Sequence, residues 1–139
     1  MSVLPHDLLA EKAAAIERHL ARVDSHVPPA PALLEPGTDA TDVVVLHLWQ
    51  AVQIAIDLAI ATVVRLAEPA PATYADAFRA LARRQILPEP LAQRLVRAAG
   101  FRNRVVHAYE GIDLAMVTQT ARTGPADLRA FLACLRDRV

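Results

Sequence analysis

Residues 43 to 64 read VVVLHLWQAVQIAIDLAIATVV, an apolar run interrupted by only a handful of polar groups. It is far too long for a strand and contains neither Gly nor Pro, so it reads as a helix. That helix starts near Thr38 to Asp42, where several residues can serve as N-cap, and runs to about Ala67, ahead of Pro69 and Pro71. Its length is that of a bilayer span. An ionised Asp57 near its middle costs a few kcal/mol in hydrocarbon, and His47, Gln50 and Gln53 add to that, so a membrane role is not expected. These four residues are spaced three, three and four apart and share one face. That face is either simply wet, or it lines a polar cleft or a subunit interface.

Upstream, Leu9, Ala13, Ile16, Leu20, Val23 and Val27 alternate spacings of four and three, the narrow stripe of a helix packed on one side. It stops before Pro28-Pro29, and the run through Pro31, Pro36 and Gly37 reads as a surface linker at about 28–37. Downstream, Thr73-Tyr74-Ala75-Asp76 fits a capping box that opens a helix ending near Gln85. Pro88 and Pro90 bracket another start, with Leu91, Leu95, Ala98 and Val105 on its apolar side and Gly100 weakening its middle. After a turn at Glu110-Gly111, Asp113 caps a helix to about Arg122. Gly124-Pro125 is expected to break it, with Pro125 opening a last helix to Arg136. The expected fold is all-α: an antiparallel four-helix bundle with additional short helices, one domain over residues 1–139.

With 139 residues, 54% of them hydrophobic and 22% charged, the chain can bury one core without disulfide or metal staples. Cys134 is the only cysteine, which excludes an intrachain disulfide and a cysteine metal cluster. The start of the sequence lacks a secretion signal pattern, so a cytoplasmic protein is expected. A net charge of zero argues against a nucleic-acid binder. The average misleads, because Arg79, Arg83, Arg84, Arg94, Arg97, Arg102 and Arg104 face only Glu89 within residues 79–104, a local balance of +6. Basic residues are almost all Arg, which fits arginine-rich genomic composition as well as phosphate recognition.

There is no His-Glu-x-x-His motif, no Gly-rich phosphate loop and no nucleophile elbow. No metal or cofactor is expected. What remains is Gly100-Phe101-Arg102-Asn103-Arg104-Val105-Val106-His107-Ala108-Tyr109, at the end of the basic segment. On a helix Gly100, Asn103 and His107 share a face, while Arg102 lies about 140° around and roughly 7.5 Å along from His107. A long Arg side chain wraps that distance, so the pair can flank a phosphodiester, with guanidinium on the non-bridging oxygens and imidazole near a ribose hydroxyl or leaving oxygen. Metal-free RNA cleavage through the 2′-hydroxyl needs such a near-neutral proton carrier. One histidine cannot be base and acid in the same step, whereas a two-fold homodimer supplies two. Plainer roles compete: His107 bonded to a carbonyl in the core, Arg102 paired with Asp57, and Tyr109 as an amphipathic bundle residue. His47 and Asp57 are secondary candidates, and His6, His19 and His26 are expected to face solvent.

The string Arg102-x4-His107-x-Tyr109, with Asn103 after the arginine and Ile112-Asp113 beyond, resembles the Arg-x4-6-His-x-Tyr motif of HEPN-superfamily ribonuclease toxins of the HepT type. The likeness extends to the N-terminal amphipathic helix, the Gln53-x-x-Ile56-Asp57 helix and a C-terminal helix. It implies a metal-independent endoribonuclease, homodimeric, with Arg102 and His107 catalytic in a cleft between protomers and Asn103 and Asp57 supporting them. It also implies a partner, a minimal nucleotidyltransferase antitoxin that transfers AMP to the motif tyrosine, Tyr109 here. The competing function is a non-catalytic helical subunit that docks a nucleotidyltransferase or presents substrate to it, which would not require the Arg102/His107 spacing.

Overall fold

The computed structural model describes residues 3–137, and the residues described form five α-helices: α1 His6–His26, α2 Asp39–Arg65, α3 Tyr74–Arg83, α4 Glu89–Ala108 and α5 Leu114–Arg136. No strand occurs among them. The apolar stripe of α1 is buried at Leu9, Ala13, Ile16, Leu20 and Val23. Its end at Val27 is extended, as a residue before proline must be.

The all-round apolarity of α2 follows from its place. By length and composition it is the one described helix able to cross a membrane, yet it packs against α1, α3, α4 and α5 at the centre of the bundle. Val44, Leu48, Ala51, Ile56, Ala59 and Val63 are fully buried there. Thr38 caps it, the hydroxyl accepting the Thr41 N–H. Thr73 caps α3 in the same way through the Asp76 N–H. Both helices end on a non-glycine left-handed residue, Ala67 (φ 59°) and Gln85 (φ 60°). The Ile86 N–H bonds the Leu81 carbonyl (2.9 Å) and the Gln85 N–H bonds that of Ala82 (3.0 Å), so orphan carbonyls are satisfied in a Schellman arrangement.

The Pro-rich connection is fastened to α5 rather than laid loosely on the surface. Leu34 is buried and its N–H donates to Thr118 Oγ1 (3.1 Å). The Arg122 guanidinium donates to the carbonyls of Pro28 and Ala32. Pro88 precedes α4, Pro90 sits in its first turn, and Gly100 is absorbed within it. A 3-10 turn at Tyr109–Gly111 leads to Asp113, whose side chain accepts the N–H groups of Ala115 and Met116 to start α5.

The expected break at Gly124-Pro125 does not occur: α5 is continuous through Pro125. An interior proline removes a backbone hydrogen bond at a cost of about 3 kcal/mol. Packing outweighs it here, since Gly124 and Pro125 are both buried and a Cβ at Gly124 would already sit 3.8 Å from Leu48 of α2. The last two expected helices are therefore one. Phe131, six residues on, packs edge-to-face on Phe78 of α3 (5.7 Å between centroids) and closes the core.

Candidate functional site

The motif lies on the last two turns of α4. Arg102 is half-buried and held on three sides. Its Nε donates to Gln53 Oε1 (2.6 Å), its Nη1 to Asn103 Oδ1 (3.3 Å), and its guanidinium carbon lies 4.9 Å from the centroid of the Tyr74 ring. Gln53 is itself oriented, because its Nε2 donates to Asp57 Oδ1 (3.0 Å). The direct Arg102–Asp57 pair considered from the sequence is not formed. Gln53 is one helical turn nearer and takes the guanidinium, so Asp57 acts through the amide.

His107 is exposed, with no hydrogen bond or ion pair to another described residue, so a carbonyl-bonded core histidine is not what the fold contains. Arg102 leans toward α2 and α3 instead of wrapping toward His107. Within one chain the two are not brought together. Asn103 is exposed and joins the arginine side of the motif.

Tyr109 caps α4 and is 47% exposed. Its hydroxyl donates to Asp42 Oδ1 (3.0 Å) at the start of α2. Burial, and then the hydrogen bond and charge of Asp42, raise its pKa above the ordinary phenol value. Between α2 and α4 next to it runs a groove of about 460 Å³ lined by Asp42, Val45, Leu46, Trp49, Val105 and Val106. Leu46 and Val106 are 45% and 44% exposed on its walls. The buried Trp49 Nε1 has no acceptor among the described residues.

The polar face of α2 is divided between neighbours. Gln53 and Asp57 serve α4, whereas His47 turns to α1, its Nδ1 2.9 Å from Nδ1 of His19. His19 is therefore not solvent-facing as expected but half-buried. Both imidazoles have pKa values below the usual one: burial acts first, then the charges of His47 and Arg18 on His19, and of Arg22 and His26 on His47. His26 bonds the Arg22 carbonyl through Nδ1 (2.8 Å), and His6 is exposed. No group of three or more His, Cys, Asp or Glu side chains is placed to hold a metal among the described residues.

Sequence reasoning missed Tyr74 as a platform for Arg102 and Asp42 as the partner of Tyr109. Neither carries a signal in the local pattern, since both contacts join distant segments. The Gln53/Asp57 pair was accessible, being an amide and a carboxylate four apart on a helix.

A family model described as ribonuclease HepT-like matches residues 16–135. An mRNA nuclease HepT of Shewanella oneidensis is 24% identical over 131 residues, covering 94% of this chain and 98% of that protein. Among solved structures, a toxin–antitoxin complex with AMP-PNP contains a chain of the same fold (TM-score 0.86, 23% identity, 95% of this chain and 99% of that one). So does a tri-AMPylated Shewanella oneidensis HEPN toxin bound to an MNT antitoxin (TM-score 0.84, 24% identity, 96% and 99%). With the family match covering residues 16–135, this chain belongs to the ribonuclease HepT-like family.

Proposed function

We propose that this protein is a metal-independent endoribonuclease toxin of a toxin–antitoxin pair, acting in the cytoplasm as a homodimer of one-domain chains. The carrying observation is the contrast within the motif: a guanidinium fixed by Gln53 and Tyr74, and an imidazole exposed and unengaged. A fixed cation suits the non-bridging oxygens of a phosphodiester. An exposed imidazole suits proton transfer. In this reading His107 of one protomer takes the proton of the 2′-hydroxyl as that oxygen attacks phosphorus. His107 of the partner subunit protonates the departing 5′-oxygen, leaving a 2′,3′-cyclic phosphate. Asn103 and Asp57 keep Arg102 in place.

A second copy is supported by the apolar groove beside the motif, where Leu46 and Val106 stand exposed on the walls. Tyr109 is the site for silencing by a nucleotidyltransferase antitoxin. Its hydroxyl, held by Asp42, attacks the α-phosphate of ATP, AMP is transferred to the phenol oxygen and pyrophosphate leaves. The resulting anion two residues from His107 occupies the place of substrate phosphate.

The test is RNA cleavage by the purified chain in EDTA, run beside His107→Ala. Cleavage by the first and none by the second is expected; equal cleavage by both would remove the ribonuclease reading and favour a docking subunit.

A further inference from the structure

The basic segment that the sequence shows as one block is sorted by the fold into two classes. Arg79 is neutralised by Asp76 (3.1 Å), Arg84 by Glu68 (2.8 Å) and Arg94 by Asp127 (2.8 Å). Arg83, Arg97, Arg102 and Arg104 have no acidic partner within salt-bridge distance among the described residues, and three of these four stand on α4. Arg102 belongs to the site already described. Arg97 and Arg104 do not: they line a separate groove of about 700 Å³ between α4 and α5, whose opposite wall carries Gln119, Thr120, Thr123 and Asp127, the last already paired with Arg94.

Helix geometry connects this groove to the motif. Arg104 precedes His107 by three residues, about 60° around α4 and roughly 4.5 Å along it, and Arg97 lies about 20° from Arg104 and about 10 Å further back. The two guanidinium groups thus form a row leading away from the exposed imidazole on the side opposite to the lean of Arg102. Gly100 lies between them, and a Cβ there would stand only 3.9 Å from Arg104 Nη1, so the guanidinium folds over a bare stretch of backbone. The Thr120 and Thr123 hydroxyls donate to the Met116 and Gln119 carbonyls of their own helix, which leaves the Gln119 amide to donate to a phosphate without neutralising the cations.

We propose that the α4–α5 groove is a second binding site for single-stranded RNA, in which Arg97 and Arg104 hold backbone phosphates flanking the cleaved one. The assignment rests on the ribonuclease reading above and extends it: the motif cuts, and this groove sets the path of the strand beside the cut. It grips phosphate, so it adds affinity without base preference.

The test uses the full chain carrying His107→Ala, so that RNA stays intact, and a fluorescein-labelled single-stranded RNA of about 20 nucleotides. Affinity is measured across a salt series for this parent, for Arg97→Gln with Arg104→Gln in the same background, and for Arg83→Gln as an uncompensated arginine outside the groove. Removing one cation that neutralises a phosphate of a single strand reduces the slope of log affinity against log salt by about 0.7. The double variant should therefore show a slope shallower by about 1.4 and bind at least about tenfold more weakly at low salt, while Arg83→Gln follows the parent. Circular dichroism confirms that the variants fold. A double variant with unchanged slope overturns the proposal while leaving the ribonuclease reading intact if the protein with His107 cuts RNA. A double variant that keeps RNA affinity but no longer binds its antitoxin assigns the groove to a protein partner and also overturns it. A folded parent that binds no RNA, together with no cleavage by the unsubstituted chain, removes both readings.

Discussion

Arg102 and His107 stand five residues apart on α4, and the fold treats them oppositely. The arginine side of the motif is built in advance: an amide whose orientation Asp57 fixes, a tyrosine face beneath the guanidinium, and the neighbouring Asn103. The histidine side is bare. A long, rotamer-rich cation loses entropy when it clamps a ligand, so tying it down beforehand lowers the cost of binding. An imidazole that moves protons benefits from access instead, and a fixed partner would compete with the substrate for its nitrogens.

The sharpest way to break this comparison is kinetic. His107→Ala should lower RNA cleavage about a hundred- to ten-thousandfold, the usual worth of a general acid or base. Arg102→Ala should cost about a hundred- to a thousandfold, as for a missing oxyanion donor. Initial rates on a defined RNA measure both, and near-normal rates in either variant would dissolve the division of labour. Gln53→Ala should fall between these and wild type, at roughly ten- to a hundredfold in kcat, because it removes orientation and not charge.

Stability reverses the ranking. Urea titration should find His107→Ala within about 0.5 kcal/mol of wild type, since an exposed side chain without partners contributes little. Arg102→Ala should lose about 1 kcal/mol through the Gln53 hydrogen bond and the Tyr74 face. Equal losses would contradict the contrast between a tied and an untied residue.

The smallest effect concerns the histidines that do have a partner. The folded-state pKa values of His19 and His47 are lowered, so the unfolded chain binds protons more readily. Their contribution is complete above about pH 6.5, the unfolded value, and is lost as pH falls toward the folded values. Arg18, Arg22 and His26 act in the same direction. The unfolding midpoint should therefore be lower at pH 5.5 than at pH 7.5, and His19→Gln should shrink the difference.

What the sequence reveals and what it hides divides along the same line. The Thr38–Asp42 run, the Thr73 cap, Pro88 with Pro90, and Asp113 place the starts of α2 to α5, because those signals are local. The error at Gly124-Pro125 has a tertiary cause: burial against Leu48 holds a proline that local rules would put at a helix end. In the site, the spacing of Arg102, His107 and Tyr109 is readable along the chain. The partners that give each residue its character, Tyr74 for Arg102 and Asp42 for Tyr109, come from segments 28 and 67 positions away and leave no mark on the local pattern. Likewise, of the seven arginines between 79 and 104, Arg79 meets an acid three residues away on its own helix, whereas the partners of Arg84 and Arg94, Glu68 and Asp127, come from other segments.

Trp49 is the only tryptophan in the chain, and it lines the groove beside Tyr109 with its indole N–H unsatisfied. The protein thereby carries its own optical gauge at the place where a second copy is expected to settle. Covering the groove excludes water from the exposed part of the ring, which shifts the wavelength and intensity of its emission. Dilution followed by intrinsic fluorescence then reads assembly directly, with no label attached and no residue of the motif altered.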